Sequence, residues 1–396
     1  MSVFSNLIAL FPSWDSLKSY LTGEANLTVS SEGRYVLISY NEDSNQSLPY
    51  THAFRSVVWD TVRHLPVGVT PFQTTQGPVS NDCSVIEPWI DGVPIGVFWD
   101  QDRGTWRLFT RRVLDAGNRF YSQTKTFATM ADEAGLWTRL PLEPETPYTS
   151  YTFLLQHPEN RVVVPVATPT VTCVQVAITQ ADGSIVYQSP ATMGGVRPLT
   201  PADVAYPPYT LATPCPPTRG FIFKNTVTGQ QWAVENPLYL AIRIMRGDSS
   251  RLDFHWMTLH AKGQLEHYLF YYPEERVAAT SFLTEWKALG QELFSLYGDV
   301  YFRRTVGLDK IPAKFKARVA SLGTNVFFGL HNAYRAHRQV SGERLTRDFV
   351  QFYLDGLDLP LRIHILNWDL RAAAQAAGKT FVPSNRPAHA PPSLCA

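Results

Sequence analysis

The chain has 396 residues, of which 44% are hydrophobic and 17% charged, and its formal net charge is +1. This composition favours a folded protein of two or three domains and excludes a disordered chain, which would contain fewer apolar residues. The charge is unevenly spread, because residues 281–396 carry 15 Lys and Arg against 9 Asp and Glu. Such an excess does not by itself indicate nucleic-acid binding, since blocks of surface charge are commonly solvated faces.

The four cysteines, Cys83, Cys173, Cys215 and Cys395, are isolated and lack metal-ligand spacing. Their pattern predicts reduced thiols rather than a disulfide framework. No basic segment precedes the first apolar residues, and no stretch reaches the roughly 18 consecutive apolar residues of a membrane span. We therefore expect a protein that is neither secreted nor membrane-spanning, located inside the cell or packed within a particle.

The N-terminal part of the chain is predicted to be rich in strands after one short helix. The helix is expected over Ser13–Leu21, because Ser13 can cap it and apolar residues recur at helical spacing. Strands are predicted at Arg34–Tyr40, Ser56–Trp59 and Leu65–Val69.

The segment Val85–Arg112 has the clearest strand-and-turn pattern. Aromatic and β-branched residues alternate along it, and turn residues interrupt it at Asp91 and Gly92 and again at Asp102–Gly104. This pattern predicts a strand, a tight turn and a further hairpin.

The middle of the chain is predicted to combine one helix with further strands. The helix is expected over Gln123–Leu140, because apolar residues recur at helical spacing and Pro141 follows. The proline-rich segment Pro198–Pro217 should be a surface excursion, since proline cannot donate within a central strand. Strands are predicted at Tyr151–Val164 (two strands joined by a turn), Val174–Ile178, Ile185–Gln188, Arg219–Asn225 and Gln231–Tyr239.

From about Thr280 the apolar period changes from two to about 3.6 residues, which predicts helices. Three helical stripes are expected, beginning at Phe282, Phe315 and Phe349. The chain is therefore interpreted as an α+β body over residues 1–275, a mostly α-helical C-terminal domain over 276–378 and a proline-rich tail over 379–396.

Local motifs that carry chemistry are missing from the sequence. It contains no GxxxxGK(S/T) phosphate loop, no GxGxxG turn, no HExxH pair and no GxSxG nucleophile elbow. The ten histidines are scattered and are expected to be core or surface residues rather than metal ligands. Single motifs therefore indicate no enzyme.

Six segments nevertheless follow one another in a recognisable order. They are Phe54–Asp60, Trp89–Gly92, Trp106–Thr110, Phe153–Arg161, Arg219–Ile222 and Trp232–Glu235. In this order they resemble the covalent nucleotidyltransferases, and most closely the RNA ligases of tailed phages and large DNA viruses. The resemblance covers roughly residues 30–245 and implies an ATP-grasp-like ligase fold of antiparallel sheets with helices, followed by a helical domain.

The same resemblance implies that the catalytic residues are missing. In that family the lysine of a K-x-D-G turn attacks the α-phosphorus of ATP, carboxylates position Mg²⁺ and further lysines neutralise the phosphates. The corresponding positions here, those of the nucleophile, two glutamates and two lysines, hold Trp89, Leu154, Arg219, Ala233 and Glu235. The retained residues are Arg55, Asp91, Gly92, Asn160, Arg161 and Gly220. No catalytic residue, metal ion or cofactor is therefore predicted, and ATP and Mg²⁺ are expected only if the site is active.

The leading hypothesis is a catalytically inactive pseudoenzyme that serves as a structural or binding component. The resemblance suggests a viral protein or virion component with RNA or viral proteins as partners.

One alternative is RNA or nucleotide binding in the cleft that corresponds to the ligase active site. The candidate residues for it are Arg55, Asp91, Gly92, Arg107, Arg111, Arg112, Arg161, Arg219 and Lys224. A second alternative is an active ATP-dependent RNA ligase that uses Lys125 or Lys224 as a relocated nucleophile. Glu87, a lone acid beside a strand, is expected to be solvated.

Overall fold

The computed structural model describes residues 3–48, 50–75, 79–120, 124–146, 148–200, 213–249 and 251–380. Within these ranges the chain is α+β, with several antiparallel sheets and a helical C-terminal region. It divides into two compact units, Met1–Gly247 and Asp248–Ala396. The boundary predicted at 275/276 therefore lies inside the second unit. From residue 381 onward the predicted proline-rich tail falls outside the described residues.

Secondary-structure elements are numbered in chain order. The strands of the first unit are β1 (Thr28–Glu32), β2 (Tyr35–Ser39), β3 (Val57–Asp60), β4 (Leu65–Val69), β5 (Thr74–Thr75), β6 (Val85–Trp89), β7 (Val93–Asp100), β8 (Thr105–Phe109), β9 (Thr149–Gln156), β10 (Thr170–Thr179), β11 (Ile185–Gln188), β12 (Gly220–Lys224) and β13 (Gln231–Glu235). Its helices are α1 (Val3–Leu10), α2 (Trp14–Gly23), α3 (Phe127–Glu133) and α4 (Pro237–Arg246).

These strands form three sheets. Sheet I has the order β1-β2-β3-β4, sheet II the order β11-β10-β9-β7-β8, and sheet III the order β5-β13-β12-β6. Neighbouring strands are antiparallel except β5 and β13, which are parallel. The predicted antiparallel architecture is therefore confirmed at the level of the sheets.

Apolar side chains join the first unit into layers. Helices α1 and α2 pack on one face of sheet I, where Phe4 meets Phe54 with ring centroids 5.6 Å apart. Between sheets I and II lie buried residues such as Tyr35 and Phe98. Helix α3 covers the other face of sheet II, with Met130 among the residues buried there. Sheet II is thus covered on both faces.

Several local predictions are confirmed. Helix α2 begins after Ser13, whose hydroxyl oxygen accepts a hydrogen bond from the Ser16 backbone N–H at 3.3 Å, while the Ser16 side chain caps in return. The central segment forms β6, a turn at Asp91 and Gly92, and the hairpin of β7 and β8. Strands β10 and β11 pair as expected around the turn that contains Gly183.

Other predictions are wrong in their bounds. The helix expected over Gln123–Leu140 is limited to α3 and a following 3-10 turn, because Gly135 has a φ of 70° and breaks the helix. The segment Tyr151–Val164 contains only β9 and a 3-10 turn rather than two strands. The strand expected over Gln231–Tyr239 ends at Glu235, because the Asn236 side chain caps α4.

The second unit is mostly helical. Its helices are α5 (Leu252–Ala261), α6 (Leu265–Tyr271), α7 (Arg276–Tyr297), α8 (Val326–Ser341), α9 (Arg347–Asp355), α10 (Leu359–Leu366) and α11 (Trp368–Ala376), and the strands β14 (Arg318–Val319) and β15 (Thr324–Asn325) form a hairpin. The stripes that begin at Phe282 and Phe349 lie in α7 and α9 as predicted. The stripe at Phe315 is not an α-helix but a 3-10 turn followed by the β14–β15 hairpin. No helix among the described residues is long and apolar enough to cross a membrane.

The helices α5 and α6 explain the difference in domain boundary. Helix α5 packs on α6, α7 and α10, so both helices belong with the C-terminal elements. Their side chains are apolar on several faces and show no single stripe, which is why periodicity did not place them in the helical domain.

Candidate functional site at the end of sheet III

Sheet III brings three positions of the predicted site together at one end. Antiparallel pairing sets Trp89 of β6 opposite Gly220 of β12, and Gly220 opposite Glu235 of β13. Residues opposite each other in a sheet project from the same face, so Trp89 and Glu235 lie on one face. Arg219 comes directly before Gly220 and completes the group. Strand pairing, rather than closeness in sequence, creates this arrangement.

The Arg219 guanidinium connects the other two side chains. Its Nε donates a hydrogen bond to Glu235 Oε1 at 2.7 Å, and its Cζ lies 3.7 Å from the centroid of the Trp89 ring. The Arg219 backbone N–H also donates to the Trp89 carbonyl oxygen at 2.8 Å. A cation that stacks on an indole and pairs with a carboxylate holds both partners in place. We refer to Trp89, Arg219 and Glu235 as the Trp–Arg–Glu cluster.

Reversing the charges in the cluster tests how strongly they are coupled. Side-chain exposure is 37% for Arg219 and 17% for Glu235, so solvent screens the pair. Each single reversal, Arg219→Glu or Glu235→Lys, is therefore expected to lower the free energy of unfolding by only about 1 kcal/mol. The double variant R219E/E235K re-forms an ion pair and should recover about 1 kcal/mol of the summed loss. Urea denaturation of the four proteins measures this, and purely additive effects would show that the pair is not coupled.

Asp91 has a structural role. It is 6% exposed, and its Oδ2 accepts hydrogen bonds from the backbone N–H groups of Val163 and Val164 at 2.9 and 2.8 Å. Its Oδ1 accepts the Tyr239 hydroxyl at 2.6 Å. Burial and the negative charge of Asp91 raise the pKa of the Tyr239 hydroxyl, which therefore remains a donor. Asp91 thus ties the turn to α4 and to the segment after β9.

Three other positions of the predicted site are filled by close packing. A Cβ atom on Gly92 would lie 2.8 Å from the Leu155 carbonyl oxygen, so the turn requires glycine. Leu154, which stands where a glutamate is expected, is half-buried in β9 opposite Pro94 of β7. Ala233 is 4% exposed in the middle of β13. None of the three offers a charged group.

A second charged pair lies on the same face of sheet III. The Lys224 ammonium is 2.5 Å from Glu87 Oε2 and donates to the Val174 carbonyl oxygen at 2.9 Å. Glu87 is 5% exposed, so the prediction that it is solvated is wrong, and the pairing compensates for the burial of its charge. Together with Gln231 and Tyr187, the pair lines a cavity of about 270 Å³. Lys224 is therefore an internal ion-pair partner.

Arg55 is partly buried and forms no ion pair with any described residue. The Ser56 hydroxyl donates to the Thr110 carbonyl oxygen at 3.1 Å, which brings Arg55 close to Arg111. Burial lowers the pKa of the Arg55 guanidinium, and the charges of Arg111 and Arg219 lower it further. Arg55 therefore lies within electrostatic reach of Arg111 and Arg219, of which Arg219 is already paired with Glu235.

Two other arginines predicted to bind phosphate have protein partners instead. Arg107 is 9% exposed and lies 2.9 Å from Asp115 and 3.3 Å from Asp100. Arg161 donates through Nε and Nη2 to the Val163 carbonyl oxygen at 3.0 and 2.8 Å. Arg107 is thus neutralised inside the fold, and Arg161 shapes the segment whose backbone binds Asp91. Arg112, by contrast, is exposed.

No model of a protein family matches the chain, and no curated protein sequence matches it. Within the described part of the chain, no group of three or more His, Cys, Asp or Glu side chains is arranged to hold a metal ion. The function of the site is therefore inferred from its side chains and from the resemblance in the order of segments.

Proposed function

We propose that this chain is a catalytically inactive relative of RNA ligases, with a nucleotidyltransferase fold in its first unit, that acts as a structural or binding component of a viral assembly. The observation that supports this most is the Trp–Arg–Glu cluster. An indole stands where the resemblance places the nucleophilic amine, and the Arg219 guanidinium lies against it at 3.7 Å. The pairing of β6, β12 and β13 sets Trp89 and Glu235 on either side of Gly220, and Arg219 directly precedes Gly220.

The cluster lacks the groups that covalent nucleotide transfer requires. A nucleophile must offer a lone pair to phosphorus, as a lysine amine does, whereas the indole nitrogen is only a hydrogen-bond donor. Arg219 brings a positive charge to a position where a carboxylate would help to hold Mg²⁺. Glu235 brings a negative charge to a position where a lysine would neutralise phosphate. The charges present thus disfavour a metal–nucleotide complex, and no reaction step is assigned to this site.

Neither alternative lysine has the properties of a nucleophile. Lys125 lies 2.7 Å from Glu159 and 2.9 Å from Glu133, and these hydrogen bonds raise the pKa of its ammonium group. A nucleophilic lysine needs a lowered pKa, so that the free amine is present near neutral pH. Lys224 is paired with buried Glu87 at 2.5 Å. Both amines are therefore already engaged by carboxylates.

Covalent labelling tests the proposal directly. The purified chain is incubated with Mg²⁺ and ATP or GTP carrying a radioactive α-phosphate, and is then separated on a denaturing gel beside an active RNA ligase. No labelled band is expected. Trp89→Lys alone should also remain unlabelled, because Arg219 and Glu235 keep their reversed charges. A lysine-linked adduct on the unaltered chain would refute the inactive assignment, and its loss in Lys125→Ala or Lys224→Ala would identify the nucleophile.

RNA binding in the former cleft is a second candidate function. It is favoured by Arg55, which has no ion-pair partner among the described residues and lies near Arg111 and Arg219. Arginines in this arrangement could contact consecutive phosphates without base specificity. Arg107 and Arg219 are already paired with carboxylates, so Arg55 and Arg111 would supply the phosphate contacts.

A further inference from the structure

The positive charge of the second unit is concentrated in one segment. Residues 303–347 carry ten Lys and Arg against two acidic residues. Arg304, Arg335 and Arg338 are exposed, and none of the three forms an ion pair with a residue that the structure describes. Other cations of the segment are neutralised, since Arg303 pairs with Asp299 and Lys314 with Glu292. The three arginines without an ion-pair partner among the described residues are charges that remain available to an anionic partner.

The same segment meets an aromatic cluster at the end of α7. That helix continues into a π-helical turn, Gly298–Arg303, a rare conformation that often occurs at functional sites. Tyr301 of the turn stacks on His331 of α8, with ring centroids 4.3 Å apart and an interplanar angle of 11°. The Tyr297 hydroxyl lies 2.9 Å from His331 Nδ1 and fixes that ring. Beside Tyr301, the Phe302 side chain is 59% exposed.

The arginines lie next to these rings. Arg335 and Arg338 follow His331 by four and seven residues on α8, which places the three side chains on one face of the helix. Burial lowers the pKa of His331, and the charge of Arg335 lowers it further, as expected for neighbouring groups. Arg304 follows Phe302 closely in the chain. We refer to the group Tyr301, Phe302, Arg304, His331, Arg335 and Arg338 as the basic–aromatic surface.

We propose that the basic–aromatic surface binds single-stranded nucleic acid. The unpaired arginines supply phosphate contacts, and the accessible rings offer faces on which bases can stack. An acidic peptide would use the charges but not the rings, and a duplex hides the faces of its bases. The surface lies wholly within the second unit, so this proposal does not rest on the RNA-ligase resemblance or on the cleft of the first unit.

Fluorescence anisotropy of the full chain tests the proposal. The probes are a single-stranded RNA of about 15 nucleotides, DNA of the same sequence and the RNA duplex, each titrated at several salt concentrations. The variant R335E/R338E is expected to bind the single strands at least about tenfold more weakly, with a salt dependence reduced by about 1.4 in the logarithmic slope. Phe302→Ala should weaken binding about tenfold with little change in that slope.

Two controls make the result specific. The variant K262E/K287E reverses two exposed lysines outside the segment and changes the net charge equally, so it should weaken binding less than about threefold. Arg55→Ala should weaken this binding less than R335E/R338E does, and a loss as large as that of the double variant would place the binding site in the first unit instead. The proposal is overturned by equal losses in both double variants, by no effect of Phe302→Ala, by equally tight binding of the duplex, or by no binding at low salt. Circular dichroism verifies the helix content of each variant.

Discussion

The variant Asp91→Ala is expected to unfold with a free energy about 3–5 kcal/mol below that of the unaltered chain. The change removes a buried carboxylate that accepts three hydrogen bonds, from the backbone of Val163 and Val164 and from the Tyr239 hydroxyl. All three donors would lose this acceptor, and a buried donor without an acceptor lowers the free energy of unfolding. Urea denaturation measures the loss, and a lower Tm should accompany it.

Two further variants show how much of that loss comes from the buried hydrogen bonds of Asp91. Tyr239→Phe removes only one of the three hydrogen bonds and should cost about 1–2 kcal/mol. Asp132→Ala removes an exposed carboxylate in the same unit and is expected to change the free energy of unfolding by less than about 0.5 kcal/mol. If Asp91→Ala were as mild as Asp132→Ala, the structural role assigned to Asp91 would be wrong, and a ligand-binding role would become the better explanation for its retention.

The variant Gly96→Ala is expected to lower the free energy of unfolding by about 3 kcal/mol. Gly96 of β7 is paired with Phe109 of β8, and the Phe109 ring covers the glycine so closely that a Cβ atom would lie 2.1 Å from the ring Cζ. Phe109 is fully buried between sheets I and II, so the ring has no free space into which to move. Thermal and urea unfolding report the loss.

The matched control is Gly117→Ala, because a Cβ atom there meets no atom within 4 Å. That change should be neutral to within about 0.5 kcal/mol. The double variant G96A/F109L should be more stable than Gly96→Ala alone, since the smaller side chain leaves room for the added methyl group. A Gly96→Ala variant as stable as the unaltered chain would contradict the packing described between β7 and β8.

The elements that could be predicted from the sequence are those whose signals are local. Ser13 caps α2 with its own neighbour Ser16, and the turns that join β6 to β7 and β7 to β8 are made by residues adjacent in the chain. For the same reason the β10–β11 hairpin was placed correctly. Their hydrogen-bond partners lie within a few residues, so pattern and structure agree.

The elements that were misplaced depend on distant contacts. The sequence Val162–Val164 predicts a strand, but the segment is not part of a sheet. The backbone N–H groups of Val163 and Val164 donate to the carboxylate of Asp91 instead of to a neighbouring strand. The apolar residues around Phe315 have helical spacing, yet the chain there turns into the β14–β15 hairpin. The sequence pattern predicts Asn236 as part of a strand, although an asparagine followed by proline commonly caps the N-terminus of a helix.

The candidate site was predictable as a set of positions but not as an arrangement. The order of segments gave Trp89, Arg219 and Glu235 as separate positions of one predicted site, and the strand pairing seen in the structure brings them close together. Their mutual contacts could not be foreseen, since a stack and an ion pair depend on the direction of each side chain. The pair of Glu87 and Lys224 was missed altogether, because the two residues belong to strands that are far apart in the sequence.

The Trp–Arg–Glu cluster also limits how such a chain could change during evolution. Replacing Trp89 by lysine places a third charge beside Arg219, while replacing Arg219 or Glu235 alone sets two like charges at a distance where an ion pair now lies. Each of these single substitutions is therefore expected to lower the free energy of unfolding. Variation at these positions is therefore expected in compensating pairs, with the charges at Arg219 and Glu235 changing together.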